Sequence, residues 1–419
     1  LRPDRPTSAA PANVLVISLS DLSSDPRVNR QIRWLSGRYA VVAAGLADPR
    51  IDGVRFVSLA PAGKPPTTPR HDDAAASVLR LAKRAARPAV SLVRRQFGKL
   101  TRLAGFHELN YWKDDTIRRA VALLEPFRPD LVVANDVVTL PLALRVARGA
   151  KVVLDTHEYA PDELADRLGW RLLERRAVIH RCRTCIPKAD AVTTVCQGIA
   201  DLYERDTGVR PVVVTNAPDY EPLPPRFKSP DDSRVRMVHH GSGEPSRKIE
   251  NMILATDFLD DRFTLDLMLV PGDPGYIERL REMAATRPRV RFLPPVPMRS
   301  LPAFCNGYDV GLFLLAPTNT NYRLALPNKF FEFVMSRLAI AVGPSPEMAR
   351  IVRERELGVV SDDFSPEAMA RALSTLSAGD INRFKANSDA AARDLSSERN
   401  RELLLALAAR VLGETGRGA

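Results

Sequence analysis

Short, almost wholly apolar runs recur along the chain, and most of them end in small polar residues. Val14-Leu15-Val16-Ile17 is followed by Ser18, Ser20, Asp21, Ser23 and Ser24, and then by Pro26-Arg27-Val28. A run with no polar face predicts a strand buried on both sides, and the serine-rich exit before a proline predicts a loop and a helix start. Similar runs occupy residues 40–43, 54–57, 131–134, 151–154 and 191–194, with helical stretches between several of them. Short strands alternating with helices predict an α/β fold whose parallel sheet is covered on both faces.

A further strand is predicted at residues 211–218, ending in a segment in which Pro218, Pro222, Pro224, Pro225 and Pro230 mark a linker. A second series of apolar runs then begins, at residues 235–238, 265–270, 290–293, 310–314, 340–342 and 358–360. This is again the pattern of a doubly wound domain. The Leu/Ala-rich segment 402–412 predicts a closing helix. The expected division is therefore a Rossmann-like domain over residues 12–217 and a second over 218–385. A chain of 419 residues is long enough for two cores.

Composition narrows this picture only a little. With 61 Lys and Arg against 50 Asp and Glu the formal charge is +11, which favours encounter with anions without choosing among nucleotides, anionic lipids and nucleic acids. No apolar stretch approaches the roughly 20 residues of a membrane span. Four irregularly spaced cysteines do not make a secreted disulfide framework, so a cytoplasmic location is expected. Residues 1–12 lack the apolar core of a signal peptide and read as a loose leader.

Candidate chemistry clusters in three places. Leu326-Pro327-Asn328-Lys329-Phe330-Phe331-Glu332 puts a lysine near a helix start and a glutamate one turn later, so that a phosphate gains a cation while a carboxylate accepts from a sugar or ribose hydroxyl. His239-His240-Gly241-Ser242-Gly243-Glu244 follows the strand at 235–238 and reads as a glycine-bearing loop. Arg247 and Lys248 then stand at the expected helix start, where two cations can neutralise a diphosphate leaving group. It is neither a GxGxxG fingerprint nor a P-loop, since no G-K-[ST] is present. In the first half, Asp155-Thr156-His157-Glu158 ends one strand, Asn135-Asp136 a neighbouring one and Ser20-Asp21 the first. All three lie at the carboxyl edge where open α/β sheets bind ligands. Each polar group taken alone equally suits a helix cap or a sheet-end hydrogen bond. Cys182-x-x-Cys185, with His180 before it and Cys196 after, has zinc-like spacing, but no second pair follows, and no metal is expected.

Residues 77–112 break the rhythm. From Arg80 to Arg102 there are eight basic residues and no acidic one, interleaved with Leu, Val and Phe. Two helical halves around Pro88 could present apolar side chains to a surface and arginines to its edges, giving peripheral contact with the inner face of a membrane or with a lipid-linked substrate. A solvated helix packed on the sheet edge fits the same residues.

Asp25-Pro26-Arg27-Val28, Asn135-Asp136-Val137-Val138-Thr139-Leu140-Pro141, Asp155-Thr156-His157-Glu158, Gly241 through Arg247-Lys248, and Asn321 through Phe333 with Gly343 to Met348 after it, occur in that order. Together they resemble the family 4 retaining glycosyltransferases of the GT-B fold, over about residues 12–380. The resemblance implies two Rossmann-like domains facing across a cleft, and a final helix at 386–414 that returns to the first domain. It implies a donor nucleotide on the carboxyl-terminal domain and an acceptor on the amino-terminal one.

On the same basis Arg247 or Lys248 would hold the diphosphate, Glu332 the ribose and His157 the donor sugar. Gly241, Ser242, Gly243 and Asn328 would line the donor site. Lys329 beside the pyrophosphate follows from its position. Ser20, Asp21, Asn135, Asp136 and Glu158 fall on the acceptor side. The expected activity is transfer, with retention and without a metal or other cofactor, of a hexose-like sugar from a nucleoside diphosphate to an acceptor hydroxyl. That acceptor is a lipid-linked or cell-surface glycan precursor or a small molecule, and not a nucleic acid. One departure stands out, because Leu324 occupies the place of the first of two family glutamates. It keeps open a catalytically silent nucleotide-sugar-binding or partner subunit of the same fold. A sugar-nucleotide epimerase is the other alternative.

Overall fold

The structure, a computed structural model, describes residues 11–61, 107–165 and 167–414. The basic segment up to residue 106 lies outside the described residues, and only its end is seen, in the helix His107–Lys113. The chain divides into two compact units. One holds the chain up to Thr193, Tyr203–Pro211 and the residues from Leu407 onward, and the other holds Thr194–Leu202 and Val212–Ala406.

The first sheet is made of β1 (Asn13–Ile17), β2 (Ala40–Gly45), β3 (Arg55–Ser58), β4 (Leu131–Asn135), β5 (Lys151–Asp155), β6 (Ala191–Thr194) and the two-residue β7 (Val212–Val213), in the order β3-β2-β1-β4-β5-β6-β7. The described pairings are parallel, with Val14–Ile17 set against Val41–Ala44 on one side and Leu131–Ala134 on the other. The order reverses between β1 and β4. Strands on either side of such a reversal send their connections to opposite faces, which leaves a crevice at their carboxyl ends.

The second unit repeats the plan. Its strands β8 (Val235–Gly243), β9 (Phe263–Pro271), β10 (Val290–Phe292), β11 (Val310–Phe313), β12 (Ala339–Val342) and β13 (Gly358–Val360) lie in the order β10-β9-β8-β11-β12-β13, again parallel. Their core carries the fully buried Met237, Phe263, Leu265, Leu267, Val310, Leu312 and Ala341. The segment 386–414 holds the end of the helix Ala378–Ala392, a short break, and the helix Ser397–Val411.

One expectation is corrected here. Gly241-Ser242-Gly243 is not a loop, because β8 keeps its register with β9 from Val235↔Phe263 as far as Gly243↔Pro271. The apolar run of β9 is long enough to template nine residues of β8. By contrast, β11 joins β8 only at Met237 and Val238. From His239 onward β8 is thus paired on one edge alone, at the reversal point of the sheet. The helix expected at Arg247 also begins later. Pro245–Arg247 is a single 3-10 turn, Lys248 adopts a left-handed conformation (φ 52°), and the helix runs Glu250–Ala255.

Two local constraints hold the elements that carry polar groups. In β11, Gly311 leaves room for the ring of Phe333, since a Cβ there would stand 2.4 Å from the ring carbon Cγ. The helix Asn328–Met335 can therefore lie close on the sheet, with Phe330, Phe331 and Phe333 fully buried. In the first unit Asp25 caps the helix Pro26–Ser36 by accepting from the Val28 amide, and Pro26 sits at its first turn, where a missing N–H costs nothing. That start aims Arg27 inward. Its guanidinium donates to both carboxylate oxygens of Asp155, at 2.9 and 2.6 Å. Gln31, one turn on, donates to Asp155 at 3.2 Å, and Thr193 Oγ1 does so at 2.6 Å.

Removing one partner from a buried ion pair leaves the other charge unpaid for in a poor solvent. Arg27→Met is therefore expected to lower unfolding free energy by about 3–5 kcal/mol, with urea unfolding as the measurement. Arg27→Met combined with Asp155→Asn should recover a large part of that loss, and a double variant no more stable than the single one would contradict the assignment.

Candidate functional site

At the open end of β8 in the second unit, several side chains meet around a glycine. Gly241 has φ 121°, a conformation that L side chains rarely adopt. A Cβ on it would lie 3.1 Å from Lys329 Nζ and 3.7 Å from a terminal nitrogen of Arg247. The absent side chain is thus what brings backbone and two cations together. Arg247 comes from the 3-10 turn after β8, and Lys329 from the first turn of the helix Asn328–Met335.

Lys329 is buried and has no carboxylate at ion-pair distance among the described residues. Its ammonium donates to His239 Nε2 at 3.1 Å and stands 4.4 Å from the centroid of the Phe313 ring. His239 Nδ1 lies 2.9 Å from the Leu312 carbonyl, which can only accept, so Nδ1 carries the proton and Nε2 is free to accept. Burial and the neighbouring Lys329 charge hold this imidazole well below its ordinary pKa. Burial, reinforced by Arg247, likewise pulls the Lys329 ammonium well below the usual lysine range, and Glu332 offsets this only in part.

Glu332, one helical turn after Lys329, is buried with its carboxylate 3.7 Å from His240 Nε2. That nitrogen has no hydrogen-bond partner among the described residues, and the His240 ring stands edge-on to Phe333. Burial, then the Lys329 charge, pushes His240 down to about 3. Asn328 contributes a buried side-chain oxygen without a partner in the same first turn. Ser242 Oγ is 3.5 Å from Glu244, and Gly243 packs against Ile277. Lys248 sits apart from this group, half-exposed, with its ammonium 3.6 Å from Glu250. Leu324 is buried and lies beside Gly198, whose amide donates to Glu347 Oε1 at 2.6 Å.

The first unit gathers a separate polar group at the ends of β4 and β5. His157 Nε2 lies 3.2 Å from Asn135 Oδ1 and 3.5 Å from Asp155, while Nδ1 is 3.5 Å from Asp136. Burial works against a proton on this ring, but the hydrogen bond to Asp155 and the charges of Asp136 and Asp155 outweigh it, and the pKa is raised. Asn135 also donates to Gln31 at 2.9 Å. Burial would raise the Asp155 carboxyl, yet Arg27 and His157 hold it well below the usual carboxylate range. Asp136 has φ 66° and its carboxyl is raised by desolvation, which His157 offsets only in part.

The remaining first-unit candidates serve the local chain. Ser20 Oγ donates to Asp25 at 2.8 Å, and Asp21 accepts from the Ser23 amide and hydroxyl. The Glu158 side chain is exposed, and its backbone carbonyl accepts from Tyr203 Oη at 2.8 Å. The four cysteines are free, and burial pushes Cys182 and Cys196 up to about 12. Among the described residues no three His, Cys, Asp or Glu side chains gather as a metal site would require. Sequence reasoning gave no individual role to Gln31, Thr193, His239 or His240. Two adjacent histidines entering a glycine-bearing segment were the available signal for the last pair.

Residues 27–218 match the model of the glycosyl transferase 4-like domain. None of the curated proteins matches the chain in sequence. Among solved structures, sucrose-phosphate synthase from Thermosynechococcus elongatus is 13% identical with a TM-score of 0.68, covering 96% of this chain and 100% of its own. HepE from Anabaena in complex with UDP-glucose is 13% identical with a TM-score of 0.64, at 95% and 100% coverage. A variant of TarM from S. aureus is 12% identical with a TM-score of 0.57, and here the match takes in 70% of this chain but only 58% of TarM. The chain is thus built as two parallel-sheet domains of the GT-B type, and its residues 27–218 match the glycosyl transferase 4-like domain.

Proposed function

We propose that the chain is a retaining glycosyltransferase that moves a hexose-like sugar from a nucleoside diphosphate to an acceptor hydroxyl. The observation that carries this is the Lys329–Arg247 pair at Gly241, two cations with no carboxylate at ion-pair distance among the described residues, set against backbone that a side chain would block. A diphosphate supplies the missing negative charge and fits where a Cβ cannot. Its arrival would favour the proton on Lys329, and cations already in place lower the barrier as negative charge develops on the leaving group. Glu332 would accept from the ribose, and Asn328 Oδ1 is a second acceptor for the nucleoside. HepE, of similar fold, was solved with UDP-glucose, which supports a nucleotide-sugar donor.

In this scheme the departing diphosphate leaves an oxocarbenium-like carbon, and the acceptor attacks from the face just vacated. A phosphate oxygen takes the acceptor proton, and no metal or other cofactor is invoked because protein cations carry the charge. His157, whose pKa Asp155 and Asp136 raise, would donate to a sugar hydroxyl. The acceptor is a lipid-linked or cell-surface glycan precursor or a small molecule. No described helix is long and apolar enough to cross a membrane, and we place the reaction in the cytoplasm or at the inner membrane face. The domain limits 12–217 and 218–385, with 386–414 returning to the first domain, belong to the same proposal.

A second reading is favoured by Leu324, whose buried apolar side chain stands where the family places a carboxylate. It would make the chain a silent nucleotide-sugar-binding subunit. Titration with UDP-, GDP-, ADP- and dTDP-sugars, read by heat and by released diphosphate with acceptors present, separates the two. Transfer with retention supports the enzyme, and binding without turnover supports the subunit.

Lys329→Met is expected to weaken nucleotide-sugar binding or slow turnover by about 10²-fold, the scale of losing one donor to developing charge, and unchanged kinetics would exclude the cradle. His240 supplies a pH test. Its folded pKa of about 3 lies below the unfolded value of about 6.5, so the unfolded chain takes up the proton first and stability falls as pH drops from 6.5 towards 3. Between pH 7 and 5 the wild type should lose on the order of 1–2 kcal/mol more than His240→Gln, as urea unfolding at the two pH values would show.

A further inference from the structure

On the helical side of the first unit lies a cavity of about 310 Å³ that neither candidate group uses. Its walls come from the helices His107–Lys113, Leu140–Ala147 and Arg175–Cys185. The apolar side is made by Tyr111, Trp112, Pro141 and Leu144, and the cations Arg145, Arg181 and Lys188 stand at it. Glu108 is the one carboxylate in the lining, and it lies 3.7 Å from His180 rather than against an arginine.

Among the described residues only Arg145 of these three cations has a carboxylate at ion-pair distance. The Arg181 guanidinium lies 5.8 Å from the Tyr111 ring centroid, and its Nε is buried without a hydrogen-bond partner among the described residues. No ion pair joins Arg181 or Lys188 to a carboxylate among the described residues, and the charge of Glu174 offsets the burial of Arg181 only in part. Arg145 stacks at 5.1 Å on Trp112, and its nearest carboxylate, Glu125, is 3.9 Å away. Guanidinium planes fixed on aromatic faces keep their N–H edges directed for bidentate contact with an oxyanion. Burial also lowers the pKa of Arg181 and, helped by the charges of His180 and Arg181, that of His107.

We propose that this cavity binds a phosphate ester carrying an apolar body, with the phosphate on Arg181, Arg145 and Lys188 and the body against Trp112, Leu144 and Pro141. A volume near 300 Å³ is at the lower end for small-ligand sites and suits a phosphate with a short chain or the head of a longer one. The ligand has one chemistry and two sources, a soluble phosphate ester or the headgroup of an anionic lipid. Tyr111 is shared with the neighbouring turn, since its hydroxyl donates to the Val138 carbonyl at 2.8 Å, two residues after Asp136. The assignment concerns binding alone and does not depend on the transferase reading.

The test uses the full chain with Trp34 and Trp170 replaced by phenylalanine, so that Trp112 is the remaining indole of three. Hexyl phosphate should shift or quench Trp112 fluorescence in a saturable way, while hexanol and inorganic phosphate bind at least about 10-fold more weakly, because each lacks one half of the recognition. Arg181→Gln should weaken binding by about 10-fold or more. Lys188→Ala, at an exposed position that folding tolerates, should weaken it by a few-fold. Co-sedimentation with phosphatidic acid vesicles that is lost in Arg181→Gln assigns the lipid source, and hexyl phosphate binding without co-sedimentation assigns the soluble one. No saturable response to millimolar hexyl phosphate and no vesicle binding, or responses equal in wild type and both variants, overturns the site.

Discussion

A lysine ammonium kept inside the second unit beside a neutral imidazole is the arrangement on which the candidate donor site depends. The Leu312 carbonyl determines which nitrogen of His239 carries the proton, and the other nitrogen is thereby left to accept from Lys329. With a carboxylate in place of the imidazole, Lys329 would be satisfied and a diphosphate would have to compete for it. The histidine holds the lysine in place without a fixed counter-charge, and Gly241 provides the space in which an anion can approach it.

That arrangement rests on backbone geometry more than on residue identity. β8 continues along β9 after leaving β11, which exposes one edge of His239–Gly243 where the sheet order reverses. Gly311 lets Phe333 sink onto β11 and brings the helix bearing Lys329 and Glu332 down to the same level. The first unit uses the other common solution for a buried charge, a closed knot in which Asp155 receives hydrogen bonds from Arg27, Gln31 and Thr193. One unit thus keeps its carboxylate fully paired, and the other keeps its cations short of a counter-ion. The contrast agrees with a strand end that must stay rigid and a pocket that must fill.

Much of the architecture was legible from the apolar runs, since strands buried on both faces tolerate few polar residues and leave a visible signature. The division into two series showed for the same reason. Residues 241–243 were misjudged because Gly-Ser-Gly argues for a loop by local propensity, whereas pairing with β9 overrides that preference from 28 residues away in sequence, as at Gly241↔Leu269. Lys329 and Glu332 could be picked out because a proline and helical spacing placed them together. His239 and Gln31 could not, because their roles arise from partners 73 and 124 residues distant, and no local pattern encodes a distance of that kind. Arg27 was visible only inside its motif, and its inward aim follows from the cap at Asp25.

The Arg27–Asp155 knot also bears on the order in which the chain is made. Arg27 precedes Asp155 by 128 residues, so at ribosomal speeds of 5–20 residues per second it emerges roughly ten seconds earlier. The helix that carries it can dock on β1 and β2 before β5 exists. When the carboxylate at last enters the sheet, its counter-charge is already waiting, and the nascent domain never has to bury a lone anion.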